Sequence, residues 1–401
     1  MYIKLNAKDF CLWRFLILRF PFITINSLYI SVIYYPICLN FKLKELKLLR
    51  TIHSKYIIID AGLSGLTTAY LLKKNGITDV RILEGRSEIG GRILTQHSVD
   101  LGATWFQQPH QYLQSLLKEL QVGSFQQYQK GQSVLVYNPI APAHYFESAP
   151  DQSTAKRIAG GSIALIEKLA EGVEDLIELD TKVERIKDVN NYIEISTNKE
   201  LFSADKVIIT IPPQLANTLH YNPPLPKQLV AVMKQTHTWM GNAIKVGMTF
   251  SSPFWREKKY SGTVIGQMGA VTELYDHCNF DEDSYSLMGF VNESLRNISS
   301  EVRKERILSY LEKYLGASIR NYTAYFEKDW SLDEFTACQN NDSVVLRPYY
   351  GNLLFEDAYM NGKLLFSGTE TAKQHGGYME GAVISGLTAA KQILRTHQDV
   401  L

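Results

Sequence analysis

Residues 56–65, Tyr-Ile-Ile-Ile-Asp-Ala-Gly-Leu-Ser-Gly, pass from an unbroken apolar run directly into a glycine loop. A run this short, without polar alternation, suits a strand buried on both faces, which implies a parallel sheet covered by helices. The pattern continues with a helix from Ser64 to Lys74, stopped by Asn75-Gly76, and a second strand from Val80 to Leu83 that ends at Glu84. An acid about twenty residues past such a loop is where the dinucleotide fold places the group that binds a ribose hydroxyl, while the helix N-terminus receives the pyrophosphate. Gly62 would let the backbone approach the phosphates, Gly65 would let helix and sheet pack closely, and Ala61, Leu63 and Ser64 complete the turn. The G-x-G-x-x-G fingerprint is broken at its first position, where Asp60 replaces glycine.

The remaining bulk features exclude more than they assign. A chain of 401 residues is long enough for two domains. Its 42 basic and 41 acidic residues create no field that would draw nucleic acid or an acidic partner. Cys11, Cys38, Cys278 and Cys338 are too scattered for a disulfide framework or a zinc site, so a reducing, cytoplasmic setting and no metal are expected. Phe20 to Phe41 carries no charge and is long enough to cross a bilayer, but Pro21, Asn26 and Pro36 interrupt it and basic residues flank both ends. Residues 1–50 therefore read either as a leader with a membrane segment at 20–41 or as the product of a start assigned too far upstream.

Further along, a helix is expected over Ser162–Leu176, two antiparallel strands over Lys182–Ile186 and Tyr192–Ser196, and a buried strand over Val207–Ile211. Ala243–Phe250 has strand alternation, Glu301–Leu315 helical periodicity, and Leu364–Phe366 leads through Gly368-Thr369-Glu370 to a helix over Tyr378–Leu394. Ala382, Gly386 and Ala389 or Ala390 on that helix permit close backbone contact.

Four blocks carry a resemblance. Glu84-Gly85-Arg86 with Gly90-Gly91-Arg92, then Asp100-Leu101-Gly102-Ala103-Thr104-Trp105, then Ile208 to Pro213 with Pro223 to Pro226, and finally Phe366 to Ala372 with Gly377 to Val383 resemble the motifs of the flavin-dependent, monoamine oxidase-like amine oxidases. The resemblance spans about Lys55 to Leu394. It implies an α/β fold with a discontinuous FAD-binding dinucleotide-fold domain (51–115, 157–235 and 336–401) and an α+β substrate domain (116–156 and 236–335). It also implies oxidation of a small-molecule amine, with dioxygen reduced to hydrogen peroxide. By the same resemblance Arg92 faces the pyrophosphate, Val183 reads adenine through its backbone, and Gly368, Glu370, Gly377 and Met379 wrap the flavin. The last helix would direct its N-terminus at the flavin ring, stabilising the charge that reduction places there. Lys245 matches the lysine that holds a water near the flavin's reactive nitrogen, and Tyr378 matches one wall of an aromatic cage around the amine. Tyr349 or Tyr350 is the nominee for the other wall, with Tyr350 preferred. No cysteine stands at the position of covalent attachment, so FAD is expected to be noncovalent.

Asp60 bears on how well that cofactor is held. A carboxylate about 6 Å from each phosphate charge costs roughly 3 kcal/mol at an effective dielectric near 20. Aspartate tolerates unusual backbone angles better than most residues, so the turn itself survives. Three readings stay open: a working amine oxidase with a weaker cofactor grip, a related desaturase or protoporphyrinogen-type oxidase, and a noncatalytic member impaired in flavin binding. No arginine for a substrate carboxylate and no ring of acids for polyamine tails is evident, which leaves a simple or aromatic monoamine by default.

Overall fold

The structure is a computed structural model that describes residues 51–138, 140–147, 155–337 and 349–398. The expectations placed on residues 1–50 and on Cys338 fall outside them. In chain order the principal elements are β1 (Thr51–Ile59), α1 (Leu63–Lys74), β2 (Val80–Leu83), α2 (Gln111–Glu119), β3 (Gln132–Val136) and β4 (His144–Glu147). There follow α3 (Ile163–Ala170), β5 (Ile177–Glu178), β6 (Val183–Asp188), β7 (Ile193–Thr197), β8 (Leu201–Ile209) and β9 (His220–Asn222). The chain continues with β10 (Ile244–Phe250), β11 (Tyr260–Gly266), β12 (Val271–Asp276), β13 (Tyr285–Val291), α4 (Ser300–Leu315), β14 (Ala324–Asp329), β15 (Leu364–Phe366) and α5 (Met379–Gln398).

One sheet runs β5-β2-β1-β8-β7-β6-β9, with β15 also paired to β8. Its centre is parallel: β1 lies between β2 and β8, and Ile58 pairs with Ile82 on one side and Ile208 on the other. The long β8 serves two neighbours, because Leu201 to Ala204 pair antiparallel with β7 while Val207 to Ile209 pair parallel with β15. Strand alternation explains the apolar run: Tyr56 and Ile58 pack beneath α1, α3 and α5, while Ile57 and Ile59 pack with Leu229, Met233 and Phe355 on the opposite face. Burial on both faces is why no polar residue interrupts that stretch.

Close approach is enforced where the sequence places small residues. A Cβ on Gly65 would stand 2.1 Å from the Asp60 carbonyl oxygen, so α1 can start this near β1 only with glycine there. A Cβ on Gly386 would meet the Ser64 carbonyl oxygen at 2.7 Å, which is how α5 packs on α1. The helix expected over Ser162–Leu176 ends instead at Ala170. Gly172 adopts φ +78°, and only a short 3-10 turn, Glu174–Leu176, follows.

The second sheet runs β14-β10-β13-β12-β11-β3-β4, antiparallel except where β11 meets β3. Its own apolar core joins Val246, Met248, Trp255, Leu287, Ile307 and Leu311, so α4 covers one face. The other face of β10, β13 and β12 borders the cavity described next.

Candidate active site

A cavity of about 420 Å³ runs from the loop after β1 to the second sheet. Of the residues singled out from sequence, Gly62, Leu63, Ser64, Arg86, Gly90, Gly91, Arg92, Gly102, Ala103, Thr104, Trp105, Lys245, Gly368, Gly377, Tyr378 and Met379 line it. Ala61, Gly65, Glu84, Gly85, Val183, Glu370 and Tyr350 do not. Glu84 and Glu370 act one layer back. The Glu84 carboxylate accepts the amides of Ala61 at 2.7 Å and Arg86 at 2.8 Å, tying the glycine loop to the end of β2. Arg86 pairs with Asp333 at 2.6 Å, and its guanidinium lies 5.2 Å from the Phe335 ring centroid. Glu370 lies 2.7 Å from Arg92, so the charge expected to face pyrophosphate is shared with a protein carboxylate.

The loop can receive an anionic cofactor. Gly62 caps α1 without any side-chain hydrogen bond, which leaves the first-turn amides available, and a Cβ on Gly91 would come within 3.2 Å of Gly62 Cα. Asp60 is the exception. It keeps the glycine-like turn at φ +91°, and its Oδ2 accepts the Gly62 amide at 3.1 Å. Its carboxylate thus occupies one of the donors a phosphate would use. Burial, and then the nearby Glu84 charge, push its pKa up to about 8, with Arg86 opposing.

At the other end of the cavity Lys245 is buried on β10. Its Nζ donates to the carbonyls of Gly102 at 2.7 Å and Asp100 at 3.2 Å and to Thr104 Oγ1 at 2.8 Å. Three acceptors match the three protons of an ammonium, and the Phe290 and Trp105 ring centroids lie 4.9 and 5.5 Å away. Burial pulls its pKa down to about 7, against the attraction of Asp100. Lys245 is therefore neither a strand-edge residue facing solvent nor a bare ammonium, because backbone carbonyls of the Gly102 motif hold it in place. Tyr378, immediately before α5, is 44% exposed and opens onto the cavity. Its neighbours are the His110 ring at 5.4 Å and the Trp239 ring at 6.4 Å, tilted by 32°.

That arrangement differs from the expectation for the second wall. Tyr350 packs against Gly376 and Gly377 with its hydroxyl buried and unpartnered among the described residues, and Tyr349 is an exposed residue outside the lining. The aromatic side chain that faces Tyr378 across the lining is Trp239, which stands on the loop ahead of β10. Both aromatics crowd Gly377, at φ +86°, where a Cβ would stand 3.0 Å from Trp239 and 3.4 Å from Tyr350, and of the two only Trp239 lines the cavity. Sequence reasoning also missed His110, Glu273, Phe290 and Trp330, which all line the cavity. α5 is joined to the site by Glu380, whose carboxylate accepts the amides of Tyr112 and Leu113 at the start of α2.

The family model for flavin containing amine oxidoreductase matches residues 63–139 and 125–394, nearly the whole described chain. The chain belongs to that family. Amine oxidase [flavin-containing] B of Canis lupus familiaris is 30% identical over 249 residues, 60% of this chain and 47% of the dog protein, so the matched stretch spans about half the length of that relative. The probable flavin-containing monoamine oxidase A of Dictyostelium discoideum is 26% identical over 446 residues, covering 84% of this chain and 96% of its own. Among solved structures, a redesigned double mutant of putrescine oxidase superposes with TM-score 0.76 at 23% identity, covering 86% of this chain and all of its own. Cyclohexylamine oxidase from Brevibacterium oxydans IH-35A gives 0.74 at 18% identity, over 86% of this chain and 99% of its own. This family member thus has the amine oxidase fold, an α/β dinucleotide-fold sheet together with a second, mostly antiparallel sheet. Among the described residues no cluster of side chains suits a metal ion, and no helix is long and apolar enough to cross a membrane.

Proposed function

We propose that this family member binds FAD noncovalently and oxidises an amine. Oxidation removes two electrons and two protons from the carbon–nitrogen unit of a neutral amine. Water hydrolyses the imine to a carbonyl compound and ammonia or a smaller amine, and dioxygen takes up the electrons as hydrogen peroxide. The observation that carries this reading is the continuity of one cavity from the glycine loop at Gly62 to Lys245 and Tyr378. Flavin, when bound, supplies the two-electron acceptor.

The protein's own part is positioning and electrostatics. Gly62, Gly90 and Gly91 leave room for the diphosphate, and the first amides of α1 donate to it. Lys245, fixed by three acceptors and with a pKa pulled down to about 7, places a positive charge beside the reacting end of the cavity when it is protonated. That charge disfavours a protonated amine there and so selects the neutral form from which a hydride equivalent can leave. Tyr378 and Trp239 offer ring faces that orient the amine. Cys278 is buried in the core of the second sheet and lies outside the cavity lining, so it is not a point of attachment; the noncovalent reading rests on the sequence.

Anaerobic addition of amines to the FAD-loaded protein, followed by peroxide measurement on admitting air, tests this. Loss of flavin colour with amines and stoichiometric peroxide is expected. Bleaching by polyenes or porphyrinogens and not by amines would replace amine oxidation with carbon–carbon oxidation, as in the related desaturases and protoporphyrinogen-type oxidases.

A further inference from the structure

Behind the cavity wall lies a buried layer of charge. Lys245 Nζ reaches the Asp100 carbonyl at 3.2 Å, and the carboxylate of that same residue is fully buried. Its Oδ1 accepts the Thr95 hydroxyl at 2.7 Å and the Ser162 amide at 2.9 Å, while Oδ2 accepts the Ser162 hydroxyl at 3.4 Å. Three neutral donors favour the ionised form without cancelling its charge. The Asp100 amide donates to His277 Nε2 at 3.0 Å. That bond assigns the ring proton to Nδ1 and leaves the imidazole neutral, so the 3.6 Å approach of Nε2 to Oδ2 is not an ion pair.

A second buried cation belongs to the same layer. Arg157 donates to the carbonyls of Cys278 at 2.8 Å and His277 at 3.4 Å, and its guanidinium stays charged. The nearby Asp276 carboxylate is already held by Arg256, through Nε at 2.6 Å and Nη2 at 2.9 Å. The other charged groups on the strands beside Lys245 are paired or more distant. Lys328, its cross-strand neighbour on β14, sits 2.8 Å from Asp333. Glu273 lies two strands away beyond Phe290, roughly 10 Å between backbones, and accepts the Tyr275 hydroxyl. Asp100 and Arg157 are thus the anion and the cation whose charges act on Lys245 without a closer ionic partner of their own.

We propose that Asp100 and Arg157 are opposed positioning residues for Lys245: Asp100 keeps its side chain an ammonium at the reacting end of the cavity, and Arg157 works against that charge. Neither residue lines the cavity, so both act through Lys245. The proposal deepens the reading above, in which that ammonium excludes a protonated amine, by naming the residues that set the charge. Burial, followed by repulsion from Arg157, favours the neutral lysine, and the attraction of Asp100 favours the ammonium. The two states lie close in energy near neutral pH as a result. His277 contributes by fixing the Asp100 amide, which aims the carbonyl at Lys245 Nζ.

The test titrates the FAD-loaded wild type, Asp100→Asn, Arg157→Met and Lys245→Met from about pH 5 to about pH 9 and reads the visible bands of the bound oxidised flavin, which respond to a charge beside the ring. The wild type should show a transition centred at about 7 that Lys245→Met abolishes. Asparagine preserves the contacts of Asp100, because its oxygen accepts Thr95 and the Ser162 amide and its amide group donates to the Ser162 hydroxyl. At about 6 Å and an effective dielectric near 20, losing one opposite charge moves an ionisation by roughly two pH units. The midpoint should therefore fall by at least about one unit in Asp100→Asn and rise in Arg157→Met, and the rate of anaerobic flavin reduction by an amine should show the same displaced ionisation. If Asp100→Asn does not fold, the direction of the Arg157→Met shift decides. A midpoint unmoved by either substitution, moved in the same direction by both, or retained in Lys245→Met would overturn the proposal while amine oxidation stands. Midpoints that move as expected in a flavin that no amine bleaches would overturn amine oxidation and leave the charge arrangement in place.

Discussion

Replacing Asp60 should tighten FAD binding, and the size and pH dependence of the gain follow from where its carboxylate lies. Oδ2 accepts the Gly62 amide at 3.1 Å, so a phosphate drawing on the same turn stands within about 5 Å of it. At an effective dielectric near 20 that separation gives about 3 kcal/mol per pair of like charges, or roughly a hundredfold in Kd, once the acid is ionised. Burial and Glu84 raise the Asp60 pKa to about 8, so the penalty is small near neutrality and grows above that pH. Binding should therefore weaken by up to about tenfold per pH unit above pH 8 in the wild type. Asp60→Asn should abolish this slope. Asp60→Gly should do the same and relieve a side chain held at φ +91°, worth about 1 kcal/mol more. The assay is quenching of FAD fluorescence on titration with flavin-free protein. A wild-type Kd that is flat with pH and equal to that of Asp60→Asn would refute the reasoning. The same shift has a stability signature in the flavin-free chain. Between the ordinary carboxyl value of 3.8 and about 8 the folded chain retains a proton that the unfolded chain has released, so stability falls as pH rises through that window, and Asp60→Asn should flatten the fall in thermal melts.

Lys245→Met leaves two carbonyls and Thr104 without their donor, and flavin reduction by amine should slow by at least about tenfold while bound FAD is retained, as stopped-flow absorbance would record. Trp239→Ala removes the ring facing Tyr378 and should raise the KM for amine roughly five- to tenfold with a smaller effect on kcat, whereas Tyr350→Phe should leave both within about twofold. Glu380→Gln weakens the acceptor for the first amides of α2 and should lower stability by about 1–2 kcal/mol in denaturant titration. If residues 20–41 anchor the protein, the full chain sediments with membranes and a chain starting at Ser54 remains in the supernatant; identical fractionation of the two would refute the anchor.

The parts legible in sequence were those where local chemistry and backbone geometry coincide. The run Tyr56 to Ile59 is apolar because both of its faces are covered, and Gly65 and Gly386 are small because a backbone passes within contact distance. Lys245 could be marked as functional because a lysine in an apolar strand needs partners, yet those partners are mostly carbonyls, which leave no trace in the sequence. Glu273 was hidden for the opposite reason: an acid in the alternating strand Val271–Asp276 reads as a solvent-facing position, and only the register against Phe290 reveals that its face is a cavity wall. Trp239 lies on a loop, where spacing carries no periodic signal, and Tyr350, the sequence's nominee from the segment ahead of Tyr378, packs against Gly376 outside the cavity lining.

Determining the structure of the FAD-soaked protein tests the central claim most directly. The expected map shows the isoalloxazine ring in the cavity, with the start of α5 at one edge and the Lys245 ammonium near its reactive nitrogen. A collapsed cavity, or a Lys245 side chain directed into bulk solvent, would contradict it.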